Sequence, residues 1–309
     1  VGRDARQYRE GTLMTSLPVR SKNAETFLRT RRYLTNHLVT VLSVGATVVV
    51  LVPLVAILGY LLYKGASSLN LDFFTKVPAA SPGDPGGGMA NSILGSAIIL
   101  AVASLMGIPF GIGAGVYLAE YGAGSKLAAA VQFTADVLNG VPSIVMGIAA
   151  YALIVAHEHH FSGFAGSVAL AIMMVPTVTR TTEEMLTTVP DNVREAALGL
   201  GIPKWRTIFS VSLRTASAGI ITGCMLAFAR VAGETAPLLF TALGNQFFSH
   251  DLNQPMGALP LQIFTYAVSP YDEWHRLAWA GALVLIVLIM VSVTLVRIFA
   301  SRGALKGGN

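Results

Sequence analysis

The chain has 309 residues, 53% of them hydrophobic and only 12% charged, with a mean hydropathy of +0.63. Soluble domains carry about 25% charged residues, so this composition excludes an ordinary water-soluble domain and indicates a polytopic membrane protein. A net charge of +5 does not indicate nucleic acid, because the basic residues collect at the chain ends and in one long loop rather than on an aromatic-rich face.

The first residues are polar, which predicts no cleavable signal peptide. Residues 1–13, before Met14, read as an alternative start or an unstructured extension. Residues 1–37 form an N-terminal segment, followed by a transmembrane domain over about 38–300 and a tail at 301–309. A helix needs about 20 apolar residues to cross the hydrocarbon core. Spans are expected near 38–63, 91–119, 129–156, 163–180, 208–235 and 277–299. The stretch "PAASPGDPGGGMANS" between the first two is a loop by its Pro and Gly content. Small residues are dense from Gly107 to Gly124, which lets helices approach closely. Pro142 and Pro176 fall inside the third and fourth spans, where neighbouring groups can satisfy the freed carbonyls. The one cysteine, Cys224, lies in an apolar run and permits neither an internal disulfide nor a cysteine metal site.

Lys and Arg near span ends set orientation. With six spans, the N-terminal basic residues (Arg20, Lys22, Arg29, Arg31, Arg32) fall on one side. The same side holds Lys126, the fourth-to-fifth loop (Arg180, Arg194, Lys204, Arg206, Arg214) and the tail (Arg297, Arg302, Lys306). The opposite side has Lys64, Lys76 and Arg276 and a loop of about 236–276. Both termini are therefore expected in the cytoplasm. In the outer loop, "ALPLQIFTYAVS" has the character of an interfacial helix.

The fourth-to-fifth loop reads "RTTEEMLTTVPDNVREAALGLGIPKWRTIFSVSL". Pro190 and Asp191 can open a short helix, and Gly201 can cap it. Pro203 prevents simple continuation. A short helix across the cytoplasmic mouth, near 191–201, is expected. Geometry alone leaves it an ordinary amphipathic loop helix or a lever that a partner can push.

The residues Glu195, Ala196 and Ala197, with Gly201 following and Leu213 beyond, resemble the EAA loop of ABC importer permeases. The family pattern ends in Leu-Pro and usually has Ile where Val211 stands. Here Leu213 is followed by Arg214. "GIPKWRTI", "ARVAGETAPLLFTALGNQFF" and "LAWAGALVL" further resemble the phosphate branch of that family, the PstA-type permeases. The resemblance covers about 90–309 and leaves out 1–35. It implies an all-α integral membrane fold of six transmembrane helices, the type I ABC importer permease (MetI-like) fold, with its core at about 90–300. It also implies that 191–201 docks on an ATPase dimer (PstB-type). The other implied partners are a second homologous permease (PstC-type) and an extracytoplasmic phosphate-binding protein (PstS-type). ATP and Mg would sit on the ATPase, and this chain would need no cofactor. The chain has no G-x-x-x-x-G-K-[ST] pattern.

Asp136, Arg230 and Glu234 are the charges well inside predicted spans, with Arg180 at the inner end of the fourth. Ionisable groups at such depth mark function by default. Arg supplies a planar, permanently charged fork that matches phosphate oxygens in pairs. The resemblance implies transport roles for Arg230 and Arg180, and Thr181, Thr182 and Thr235 would add neutral donors. Glu234 lies four residues after Arg230, a spacing that shares a helix face. It would neutralise the guanidinium until substrate competes for it, or else form a static packing pair. Asp136 would bond to backbone freed near Pro142 or to an arginine on a neighbouring helix, a structural role. "HEHH" (His157 to His160) has no second ligand cluster and is discounted as a metal site. Gly111, Gly113 and Gly115 fail the strand–loop–helix context of a nucleotide loop. A permease for another oxyanion such as sulfate or molybdate, an ion-coupled carrier using Arg230 and Glu234, and a membrane scaffold remain the alternatives.

Overall fold

A computed structural model describes residues 22–79, 81 and 87–306, with side chains at 31–79, 81 and 87–298. Expectations for residues 1–21, for the tip of the Pro/Gly loop and for the last three residues of the tail lie outside the described residues. The described residues are helical almost throughout. The chain divides into two units, 1–59 and 60–309. In the first, the described part belongs to α1 (Lys22–Ala66), with Pro53 inside it. Its described side chains up to Tyr60 are exposed and half of them are Leu, Val or Ile, the surface a lipid-facing helix presents.

The second unit contains the end of α1 and then α2 (Leu71–Thr75), α3 (Ala90–Tyr121), α4 (Lys126–Gly140) and α5 (Ser143–Glu158). It continues through α6 (Gly163–Thr187), α7 (Asp191–Gly199), α8 (Lys204–Ala232), α9 (Ala236–Thr241), α10 (Leu259–Ala267) and α11 (Asp272–Lys306). Among the described residues, five helices are long and apolar enough to cross a membrane. The expected third span is not one of them. It is the pair α4 and α5, bent by 110°. The bend falls where Val141 adopts an extended conformation before Pro142, because proline excludes the helical region for the residue ahead of it.

The helix pairings show what that bent pair does. α3 presents Gly107, Gly111 and Gly115, one per turn, to α6. A Cβ on them would lie 2.9 Å from Met174, 2.6 Å from Val178 and 2.5 Å from Thr182, respectively. The partner numbers rise together, so α3 and α6 run parallel. The chain between them must therefore return to its starting end, and α4 with α5 makes that return as a broken sixth span.

α8 runs the other way along α6. Gly223 packs on Thr181 and Gly219 on Met185. α9 continues this antiparallel course, with Leu238 and Ala242 against Gly166. The main core gathers Ile99, Leu170, Met174, Val178, Ala227, Val231 and Leu238 around α6. Interiors packed at crystal-like density leave no room for larger side chains at these crossings, so glycine sets how closely α3, α6 and α8 approach.

The segment expected as an interfacial helix is helical, as α10, but it is packed into the protein. Leu259, Leu261 and Tyr266 are buried, and Tyr266 stacks on Trp274 at 4.6 Å between ring centroids. Its start is tied to α3 by the Leu259 amide, which donates to Ser96 Oγ at 2.6 Å.

Candidate functional site

The fifth expected span stops sooner than its hydropathy suggests. α8 ends at Ala232, Gly233 caps it, and α9 opens at Ala236 with Pro237 in its first turn. In a continuous helix the Pro237 ring would collide with the carbonyl of the residue four earlier, which is Gly233. The chain therefore leaves the helix over 233–235 and resumes along the same flank of α6. Arg230 stands in the last turn before the break. Counting equally along both helices from the Gly223–Thr181 contact places Arg230 level with Met174, near the middle of α6. Its neighbour Val231 is buried in the same core as Met174.

Arg230 is exposed and lies on the open stripe of α8 with Ala218, Thr222 and Leu226. Among the described residues it makes no ion pair. The expected pair with Glu234 is thus absent. A four-residue spacing aligns side chains only inside a continuous helix, and here the helix ends between them. Glu234 and Thr235 are half-buried within the break itself.

Arg180 was expected at the inner end of its span, but α6 runs on to Thr187, so Arg180 lies within the helix. Its guanidinium is held side-on by Asp136 of α4, with Nε 2.9 Å from Oδ1 and Nη2 3.4 Å from Oδ2. Nη1 donates to Glu183 at 2.9 Å. Of the two expectations for Asp136, the one present is the bond to an arginine of a neighbouring helix. The contact belongs to a longer polar seam. Gln132 Nε2 donates to Glu183 Oε1 at 3.4 Å, and Thr177 Oγ1 donates to Asn139 Oδ1 at 3.1 Å. Glu183, Gln132 and Asn139 went unread in the sequence. Their signal was present: 132, 136, 139 and 177, 180, 183 each repeat at helical spacing on one face.

The hydroxyls are placed unequally. Thr181 Oγ1 donates back to the Thr177 carbonyl at 2.9 Å, and its methyl packs on Gly223. Thr182 is fully buried at the α3 crossing, and its hydroxyl has no partner among the described residues. The two threonines next to Arg180 therefore serve helix packing here, whereas Thr235 borders the break.

The short loop helix exists as α7. Gly201 closes it with φ +79°, a left-handed conformation that glycine adopts without steric cost. Glu195 and Ala196 are exposed and Ala197 is buried. Exposed Val193, Leu198, Leu200 and Trp205 surround them. Arg194 ties α7 to the bundle. It donates to Asp191 at 2.8 Å, to the Val189 carbonyl at 2.8 Å and to the Leu186 carbonyl at 2.6 Å. Its Nε also reaches Glu120 of α3 at 3.3 Å. The Glu120 side chain is only 7% exposed, and its own carbonyl accepts from Lys204 Nζ at 2.6 Å. Glu120, another residue unread in the sequence, sits in a π-helical turn at Tyr117–Tyr121. Such turns recur at functional positions.

Among the described residues no group of three or more His, Cys, Asp or Glu is placed to hold a metal ion. His157 bonds locally to the Ala152 carbonyl. Gly111 and Gly115 serve helix packing against α6, whereas a Cβ at Gly113 would meet nothing within 4 Å among the described residues.

Broken helices near mid-bundle are features of transport proteins. Residues 107–303 match the family model described as the binding-protein-dependent transport system inner membrane component. The chain belongs to that permease family. The permease is 47% identical to the phosphate transport system permease protein PstA of Yersinia pestis, over 86% of this chain and 90% of that one. It is 49% identical to the PstA of Pasteurella multocida, over 87% and 94%. Its fold resembles a chain of the MetNI methionine ABC transporter, solved in inward-facing conformations. That match has a TM-score of 0.55 at 17% identity and covers 72% of the permease and 98% of the solved chain.

Proposed function

We propose that this chain is a transmembrane subunit of an ATP-driven importer that carries inorganic phosphate across the cell membrane, with both termini cytoplasmic. The observation that carries this reading is the break at 233–235. It leaves Arg230 exposed, level with the middle of α6, and without an ion pair among the described residues. A guanidinium so placed offers an oxyanion a permanently charged, bidentate partner in a barrier that otherwise repels it. Arg180 and Thr235 complete the proposed path, with Glu234 next to Thr235 in the break. The guanidinium fits any tetrahedral oxyanion. The names of relatives at 47% and 49% identity favour phosphate.

The driving energy comes from a partner ATPase dimer, which holds ATP and Mg. It docks on α7 through exposed Glu195 and Ala196 and the apolar residues around them, with Ala197 and Gly201 shaping the helix. A second homologous permease completes the path. An extracytoplasmic phosphate-binding protein delivers substrate to the 236–276 region, where Phe247 and Phe248 are exposed. Displacement of α7 is passed to α3 and α8 through Glu120, Arg194 and Lys204.

The test is phosphate uptake by the assembled complex in proteoliposomes. Arg230→Gln should lower uptake by at least about tenfold, the loss that follows removal of one charge-assisted contact. Near-normal uptake would refute the path. Competition by sulfate and molybdate reads the substrate, and phosphate should be preferred.

A further inference from the structure

Arg180 and Arg230 are alike in chemistry and opposite in surroundings. Arg230 has no ion pair among the described residues. Arg180 presents Nε and Nη2 to the two oxygens of Asp136, at 2.9 and 3.4 Å, and Nη1 to Glu183 at 2.9 Å. One cation faces two carboxylates, so the cluster as arranged repels an oxyanion. It is nevertheless open to the surface, with the Arg180 side chain 30% exposed and that of Asp136 51% exposed. An ion pair serving only to lock helices together gains nothing from such openness, because exposed pairs contribute little to stability.

The two carboxylates are not equivalent. Glu183 shares α6 with Arg180 and moves with it. Asp136 belongs to α4 and reaches Arg180 only across the seam. It also takes the side-on edge of the guanidinium, the two-point geometry a phosphate uses. We infer that Asp136 is an internal competitor for the substrate oxyanion. Its carboxylate fills the edge of Arg180 that phosphate takes, and withdrawal of α4 from α6 opens that edge. The route for such a movement is short. α4 begins at Lys126, a few residues past the π-helical turn whose Glu120 holds Arg194 of α7 and Lys204 of α8. A push on α7 therefore reaches the start of α4 through the 122–125 turn. Asp136 thereby acts as a positioning residue for Arg180, and this inference rests on the phosphate-path reading above.

The test uses the assembled complex in nanodiscs, without the binding protein, and measures binding of radiolabelled inorganic phosphate by equilibrium dialysis. Asp136→Asn should bind phosphate about tenfold more tightly than the parent, as expected when a competing close charge is removed. Asp136→Glu should restore the weak binding, and adding Arg180→Gln to Asp136→Asn should abolish the gain. Unchanged phosphate affinity in an assembled Asp136→Asn complex overturns the inference. Should that variant not assemble, Asp136→Ser is judged by the same criterion, and failure of both to assemble assigns Asp136 to packing and overturns it too. Normal uptake by Arg180→Gln instead faults the path reading. Lost uptake there, with unchanged phosphate binding in Asp136→Asn, faults only the role of Asp136.

Discussion

Pro237 stands four residues beyond Gly233, and the helix is interrupted from Gly233 to Thr235. That relationship holds Arg230 apart from Glu234. It also leaves Arg230 in a terminal turn whose free carbonyls favour a cation. Replacing both residues, as Gly233→Ala with Pro237→Ala, removes the two features that stop the helix. The helix should lengthen and bring Glu234 onto Arg230. Spin labels at Thr222 and Leu239, in a Cys224→Ser background, should then report the spacing of a straight helix, and phosphate uptake should fall. An unchanged label distance would mean that the tertiary packing of α9 alone enforces the break.

Glu234 is predicted to matter less than Arg230. With no ion pair between them, Glu234→Gln leaves no buried guanidinium uncompensated. Uptake by that variant should stay within about threefold of the parent, as for changes that break no charge-assisted bond. A loss as large as that of Arg230→Gln would assign the carboxylate a direct part in translocation.

The fork of Arg194 reaches α3, α6 and α7 at once. Lysine cannot reproduce that geometry. Arg194→Lys and Glu120→Gln should each preserve assembly while lowering the phosphate moved per ATP hydrolysed. The two changes together should cost little more than either alone, because both break one connection. Additive losses in that ratio would place the two residues on separate routes.

The α3–α6 crossing predicts a sharp contrast between neighbouring glycines. A Cβ at Gly111 would lie 2.6 Å from Val178, whereas one at Gly113 meets nothing within 4 Å. Gly111→Leu should destabilise the bundle by about 1–3 kcal/mol through overpacking. Gly113→Ala should be neutral or slightly stabilising, since alanine outranks glycine in a helix by about 1 kcal/mol. Thermal unfolding of the purified complex separates the two.

Much of this protein was legible from residues. The apolar runs locate the spans because lipid demands about 20 apolar residues per crossing. Pro190, Gly201 and Pro203 delimit the loop helix because their backbone preferences are local. The stripe Gly107, Gly111, Gly115 announces a close crossing. The broken third span and the end of α8 were less visible, although Pro142, Gly233 and Pro237 mark both, because hydropathy averages over the residues that interrupt a helix.

Local chemistry in the sequence thus determined where helices form, which faces are small, and which charges lie among apolar residues. Only the tertiary structure decided which of those charges meet. Asp136 and Arg180 are 44 positions apart and Glu120 and Arg194 are 74 apart, and nothing along the chain encodes such partners. Pairing depends on the register of one helix against another, which is set by where glycines allow approach and where prolines turn the backbone. That register left one arginine paired with two carboxylates and the other, among the described residues, without an ion pair.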